Sequence, residues 1–231
     1  VHSNPRDQCA GVIDGGARND FFAPLDAVSD WWTSYAFDAD VEAPIYADAN
    51  MIQAPYGLWS ETRTMPLHLA VEPSTSSIYP PDNDLFELLY GPHMGRMHRE
   101  TARIVDVPCI SIDDAVAQTI VPKPNFLKLD IHSAEYEAVL GARNSLDQCL
   151  GVLVETWTRP FHKGQKCHGH VEALLNDLGF YIYDIAPLHG YIQSSVHGRK
   201  LKGDRKILTL TDSIFFRPEA PSADLALLHV A

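Results

Sequence analysis

The chain has 231 residues, 45% of them apolar and 21% charged, which supplies one sizeable core and excludes disorder as the main state. Eighteen Lys and Arg stand against thirty Asp and Glu, a formal charge of −12, so the surface as a whole does not attract phosphate backbones or anionic membranes. Neither nucleic acid nor a membrane is an expected partner.

In chain order, residues 11–14 (Gly-Val-Ile-Asp) predict a first strand that runs into Gly15-Gly16, and residues 33–38 a second that ends on Asp38. The crossover over 40–51 is short for a helix with its loops. Residues 53–59 and 66–71 are further strand candidates, and 80–101 mixes Pro, Gly, Met and His without a period, which reads as irregular structure and a possible lid. Residues 126–130 and 150–155 are apolar runs ending in an acid, as where a parallel strand leaves the core at the sheet's carboxyl edge. A helix over 134–146 carries Glu135 and Glu137 in its first turn, where the helix dipole favours negative charge. Val171, Leu174, Leu175 and Leu178 recur at helical spacing, with Gly179 at the capping position. Residues 181–185 and 213–217 predict a closing pair of strands across a long loop containing 198–206. The alternation indicates an α/β sheet in a single domain spanning 1–231, and no repeat appears at solenoid or propeller periods.

No apolar run approaches the roughly 20 residues that cross a bilayer, and residues 1–7 lack the basic-then-apolar pattern of a secretory signal. Cys9, Cys109, Cys149 and Cys167 form no C-x-x-C pair, so no disulfide scaffold or zinc ribbon is indicated and a cytoplasmic setting is expected. His162, Cys167, His168 and His170 fall within nine positions but match no common zinc spacing, so a solvated loop is expected there and no metal. His93, Arg96 and His98 read as surface groups or acceptor contacts. The basic run Arg199, Lys200, Lys202, Arg205 and Lys206 reads as a solvated loop, and Trp31 and Trp32 as packing residues.

Small residues after the first strand let the backbone turn tightly and approach a ligand, and about twenty residues later Asp38 stands where such sheets place the acid that accepts from a ribose. Separately, a Gly-Gly pair is an ordinary turn and a strand-ending acid an ordinary cap; together they read as a nucleoside site. Neither G-x-G-x-x-G nor G-x-x-x-x-G-K-[ST] occurs, which disfavours NAD, FAD and ATP. A nucleoside cofactor without phosphates, S-adenosylmethionine, needs no such cradle.

Asp14-Gly15-Gly16-Ala17-Arg18-Asn19-Asp20 follows the first strand, Phe37-Asp38-Ala39 ends the second, and Ser74-Thr75-Ser76-Ser77-Ile78-Tyr79 follows a later one. Ser111-Ile112-Asp113 precedes Phe126-Leu127-Lys128-Leu129-Asp130-Ile131-His132-Ser133-Ala134-Glu135, which runs into Val139-Leu140-Gly141-Ala142; Val154-Glu155, Leu178-Gly179-Phe180 and 212–217 complete the order. In this order and spacing, over about 12–217, the chain resembles the FkbM-type S-adenosylmethionine-dependent methyltransferases. That family carries Asp-x-Gly-Ala-Asn-x-Gly, Phe-Glu-Pro and Phe-Leu-Lys-Ile-Asp-x-Glu-Gly-Ala-Glu at the corresponding places. Arg18 replaces its Asn, Asp20 its last Gly, and His132-Ser133 its Glu-Gly.

The resemblance implies a class I Rossmann-like α/β three-layer sandwich, with a mainly parallel seven-stranded sheet and a C-terminal antiparallel hairpin. It implies S-adenosylmethionine as cofactor and a sugar, polyketide or other small hydroxylated acceptor. Asp14, Gly15, Gly16, Ala17 and Arg18 would contact the methionine part, Asp38 the ribose hydroxyls, and Asp130 the edge beside the sulfonium. A hydroxyl acceptor needs a base; His132 is the first choice because imidazole titrates near neutral pH, and Glu135 the second. A plain helix-start residue is the other reading of His132. Asp20 and His132-Ser133 also motivate a competing expectation, a degenerate methyltransferase fold that binds a ligand or partner without turnover. A nicotinamide oxidoreductase is disfavoured by the missing pyrophosphate fingerprint.

Overall fold

Residues 126–129 and 151–157 carry no exposed side chain, and they form the centre of the fold in the computed structural model, which describes residues 10–18, 32–43, 50–90, 96–192, 195–196, 199–200 and 206–218. The chain runs β1 (Ala10–Gly15), β2 (Trp32–Phe37), β3 (Met51–Ala54), β4 (Gly57–Leu58), β5 (Arg63–Ala70), α1 (Asn83–Tyr90), α2 (Arg96–Arg99) and β6 (Thr101–Ile110). It continues α3 (Ile112–Ala117), β7 (Phe126–Leu129), α4 (Glu135–Leu140), β8 (Gly151–Trp157), α5 (His168–Asp177), β9 (Tyr181–Ile192), β10 (Ser195–Val196), β11 (Arg199–Lys200) and β12 (Lys206–Phe216).

Seven strands make one sheet in the order β3-β2-β1-β7-β8-β12-β9. The pairs from β3 through β8 are parallel, and β12 lies antiparallel to both β8 and β9. This is the expected mainly parallel sheet with an antiparallel hairpin at its C-terminal edge. Strand order reverses between β1 and β7, and such a reversal opens a crevice at the carboxyl ends of the strands. Ile13, Leu127, Leu129, Val152, Val154 and Phe215 fill the layer between this sheet and the helices bearing Ala138, Val139, Leu174 and Leu175.

Several boundaries differ from the sequence reading, each for a local reason. The strand expected over 53–59 breaks after Ala54, because Pro55 has no N–H for the ladder; the chain turns through Tyr56, whose N–H donates to the Ala54 carbonyl. Beyond the break, β4 joins a separate three-stranded sheet, β4-β6-β5, which also takes the strand expected over 66–71. Strand β6 escaped the apolar pattern because most of its side chains are exposed or half-buried. The stretch expected to be irregular over 80–101 holds α1, capped by the Asp82 carboxylate accepting from the Leu85 N–H and anchored by buried Phe86. The helix expected over 134–146 stops at Leu140. Gly141 follows, and a Cβ there would stand 2.3 Å from the Trp59 carbonyl oxygen. Helix α5 ends as its apolar period predicts, with Gly179 left-handed at φ +84. The closing strands are longer than 181–185 and 213–217, and β10 pairs with β11 inside what was expected to be loop. Buried Trp32 is a packing residue as expected; Trp31, Asp20, His93 and residues 44–49, half of the 40–51 crossover, lie outside the described residues. Among the described residues, no helix is long and apolar enough to cross a membrane.

Candidate active site

The crevice is held open by the turn after β1. Gly16 has φ +78, and a Cβ on it would lie 1.7 Å from the carbonyl oxygen of Asp130, so only glycine lets the tips of β1 and β7 meet. The Asp130 N–H donates to the Gly15 carbonyl at 3.0 Å and closes the same junction. Beneath it, buried Lys128 places Nζ 2.9 Å from Asp14 Oδ1 and 3.2 Å from the Gly16 carbonyl. Burial alone pushes the Lys128 ammonium down, but the Asp14 and Asp130 carboxylates outweigh it and its pKa is raised. Lys128 is therefore a fixed internal cation.

Above this junction lies a cavity of about 310 Å³, at the lower end of ligand pockets, which run from about 300 Å³ upward. Phe37, Leu58, Leu67 and Ile78 give it apolar walls, and residues 73–78 run along one side. At one end Arg18 donates to Asp40 at 2.7 Å and sits 3.9 Å from Asp38, while the Asp40 N–H donates to Asp38 Oδ1. Burial pushes the Asp38 carboxyl up, opposed by the Asp40 amide and the Arg18 guanidinium. Asp130, Ile131 and His132 also line it, at the carboxyl end of β7.

That end is an over-determined turn. His132 (φ 51) and Ser133 (φ 100) both hold left-handed backbone, which costs of order 1–3 kcal/mol per residue and persists only where surroundings enforce it. The enforcing groups are identifiable. The buried Glu135 carboxylate accepts from the N–H groups of Ile131 and Ser133, the Ser77 hydroxyl donates to the His132 carbonyl, and Ser133 Oγ bonds His162 Nδ1. His132 Nε2 then stands 4.0 Å from Glu155 Oε2, and one ligand atom from each of Asp130, His132 and Glu155 lies within 4.8 Å of the others. Burial holds the His132 imidazole down at about 4, so it is neutral at pH 7. Burial lifts Glu155 well above the carboxylate range, with Asp130 and Glu135 adding to it. Asp212, opposite Glu155 on β12, is pushed to about 6 by burial and then by Asp130.

A family model, the methyltransferase FkbM domain, matches residues 14–182. The chain belongs to this family. Among solved structures, this FkbM domain is similar to methyltransferase FkbM from Methylobacillus flagellatus KT, at 14% identity and a TM-score of 0.44, over 91% of this chain and 44% of that one. It is also similar to magnesium protoporphyrin IX methyltransferase from Synechocystis PCC 6803 with bound SAM, at 13% identity and a TM-score of 0.37, over 91% of this chain and 72% of that one. The chain thus spans less than half the length of the first of these structures. No curated protein sequence matches it.

In this FkbM domain Gly16, Arg18, Asp38, Asp130 and His132 line the cavity. Asp14 and Ala17 are fully buried and Gly15 packs against Leu58, so these three support the wall from behind. Glu135 is buried too and is spent on amides of the turn. The cluster His162, Cys167, His168 and His170 does not come together as a solvated loop. His162 is buried against Ser133, His168 bonds Thr156, and His170 is exposed on α5. Groups given no role by the sequence reading include Lys128, Asp40, Ser77 and Glu155. Lys128 had a usable signal, a cation in the middle of an apolar strand; the others gain meaning only when distant segments meet.

Proposed function

We propose that this FkbM domain transfers a methyl group from S-adenosylmethionine to a hydroxyl of a small acceptor such as a sugar or polyketide. The observation that carries the reading is the cavity at the reversal of strand order, with Asp38, Asp40 and Asp130 against a single guanidinium, Arg18, in its wall. That excess of carboxylates fits a ligand bearing a sulfonium and an ammonium, and the apolar middle fits an adenine ring. When bound, S-adenosylmethionine supplies a methyl group on cationic sulfur.

This chain's own residues would do the rest. Asp38 accepts from the ribose hydroxyls, Arg18 pairs with the methionine carboxylate, and Asp130 sets a negative potential at the transfer end. His132, neutral at pH 7, offers Nε2 to the acceptor hydroxyl and takes its proton as the oxygen becomes nucleophilic. Alignment is the larger contribution, and the turn pinned by Glu135, Ser77 and His162 provides it. Cys109, Cys149 and Cys167 are free thiols, which fits a reducing cytoplasmic setting. Titration calorimetry with S-adenosylmethionine is expected to give one saturable site, weakened at least tenfold by Asp38→Ala. No binding at millimolar concentration would favour the degenerate reading.

A further inference from the structure

The transfer end of the cavity holds more ligand chemistry than a proton acceptor needs. Asp130, just past the end of β7, and Glu155, inside β8, stand one rung past the Leu129–Val154 pair of neighbouring parallel strands, so their carboxyl groups are side by side. His132 is brought to the same point by the left-handed turn, from the loop after β7. The three donors come from two segments of chain, all half-buried, and lie within 4.8 Å of one another. The Glu155 carboxyl is hydrogen-bonded to the Asp130 side chain, while its buried Oε2, 4.0 Å from His132 Nε2, has no hydrogen-bond partner. Such an atom is costly unless something completes its shell. Lys128 does not fill that place, because its ammonium is drawn to Asp14 at 2.9 Å and is only 4.0 Å from Asp130.

We propose that Asp130, His132 and Glu155 form a divalent-cation site at the acceptor end of the cavity. Two carboxylate oxygens and one imidazole nitrogen, without sulfur, suit a cation of intermediate hardness such as Mn²⁺ or Zn²⁺. Donors about 2.1 Å from a cation stand about 3 Å apart, so the three groups need to close by about 1–2 Å, within the range of side-chain torsions. Asp130 and His132 face the cavity, which leaves the remaining coordination positions open to water or an acceptor oxygen. The proposal rests on the reading of this end as the acceptor side. It gives His132 two exclusive states: a free imidazole that accepts a proton, and a ligand beside a cation that lowers the proton affinity of the acceptor oxygen.

The test titrates Mn²⁺, and separately Zn²⁺, into the chelator-treated full chain, with free Mn²⁺ followed by electron paramagnetic resonance and Zn²⁺ by calorimetry. One saturable site per chain is expected for at least one of the two cations. It should weaken at least tenfold in His132→Ala and in Glu155→Gln, with Glu61→Gln, on the exposed surface, unchanged; circular dichroism confirms that each variant is folded, and His132→Gln serves if His132→Ala is not. No saturable site for either cation, or binding that survives the variants at His132 and Glu155, overturns the assignment. S-adenosylhomocysteine is titrated into the same samples. If it binds and the cations do not, the cation site alone falls; if it fails to bind, the cofactor reading falls, whatever the cations do.

Discussion

Lys128→Met tests the electrostatic floor of the site. In the native chain Nζ lies 2.9 Å from Asp14 Oδ1, and both side chains are almost wholly buried, 5% and 1% exposed. Removing the ammonium takes the cationic partner from a buried carboxylate, at a place where water cannot replace that charge. Breaking a buried pair from one side costs about 3–5 kcal/mol, and a chain of this size loses roughly 2–4 °C of Tm per kcal/mol, so a fall of about 6–20 °C is expected. Removing both charges, in Asp14→Leu/Lys128→Met, leaves no uncompensated ion and should recover at least about 2 kcal/mol relative to the single variant. Urea denaturation and thermal melts at pH 7 measure both. A Lys128→Met variant that loses less than about 1 kcal/mol, or a double variant no more stable than it, would refute the claim that Asp14 depends on Lys128.

Three further outcomes are expected. Gly16→Ala forces left-handed backbone on alanine, about 1–2 kcal/mol, and drives a methyl into the Asp130 carbonyl, so a thermal melt should show at least about 2 kcal/mol lost and calorimetry should show weaker cofactor binding; a variant as stable as the parent would contradict the geometry. His132 has its folded pKa held at about 4, below the ordinary 6.5, so the stability it contributes is present above pH 6.5 and lost as pH falls towards 4, by up to about 3 kcal/mol. His132→Asn should remove that part of the acid sensitivity, and equal losses in both proteins between pH 7.5 and 4.5 would count against it. Glu135→Ala removes the acceptor of the Ile131 and Ser133 amides, so hydrogen exchange at those two amides should accelerate more than tenfold while the β8 amides stay protected.

Much of the architecture was legible because the central parallel strands β1, β7 and β8 are buried on both faces and so read as short apolar runs with an acid at or near their ends. The terminus of α5 was legible because the apolar period and Gly179 agree. The three-stranded sheet was not, since β6 has few buried side chains and its exposed face carries Ile104 and Pro108 beside Asp106, which blurs the apolar alternation. Of the site, Gly16 and Asp38 were visible through their distance along the chain, which the first βα unit imposes. The support of the His132 turn was not. Ser77, Glu135 and His162 reach it from segments up to 55 residues away, and no local pattern marks a hydroxyl that will meet a carbonyl across that separation. Burial likewise turns Glu135 from a nominal base into an anchor, a change that charge pattern alone does not reveal.

What occupies the crevice between β1 and β7 decides whether this domain binds S-adenosylmethionine. A crystal structure with S-adenosylhomocysteine tests it directly. The ribose hydroxyls should meet Asp38, the homocysteine carboxylate should meet Arg18, and the sulfur should face the side bearing Asp130 and His132. A ligand bound elsewhere, or a crevice closed by its own side chains with Asp38 turned away, would contradict it.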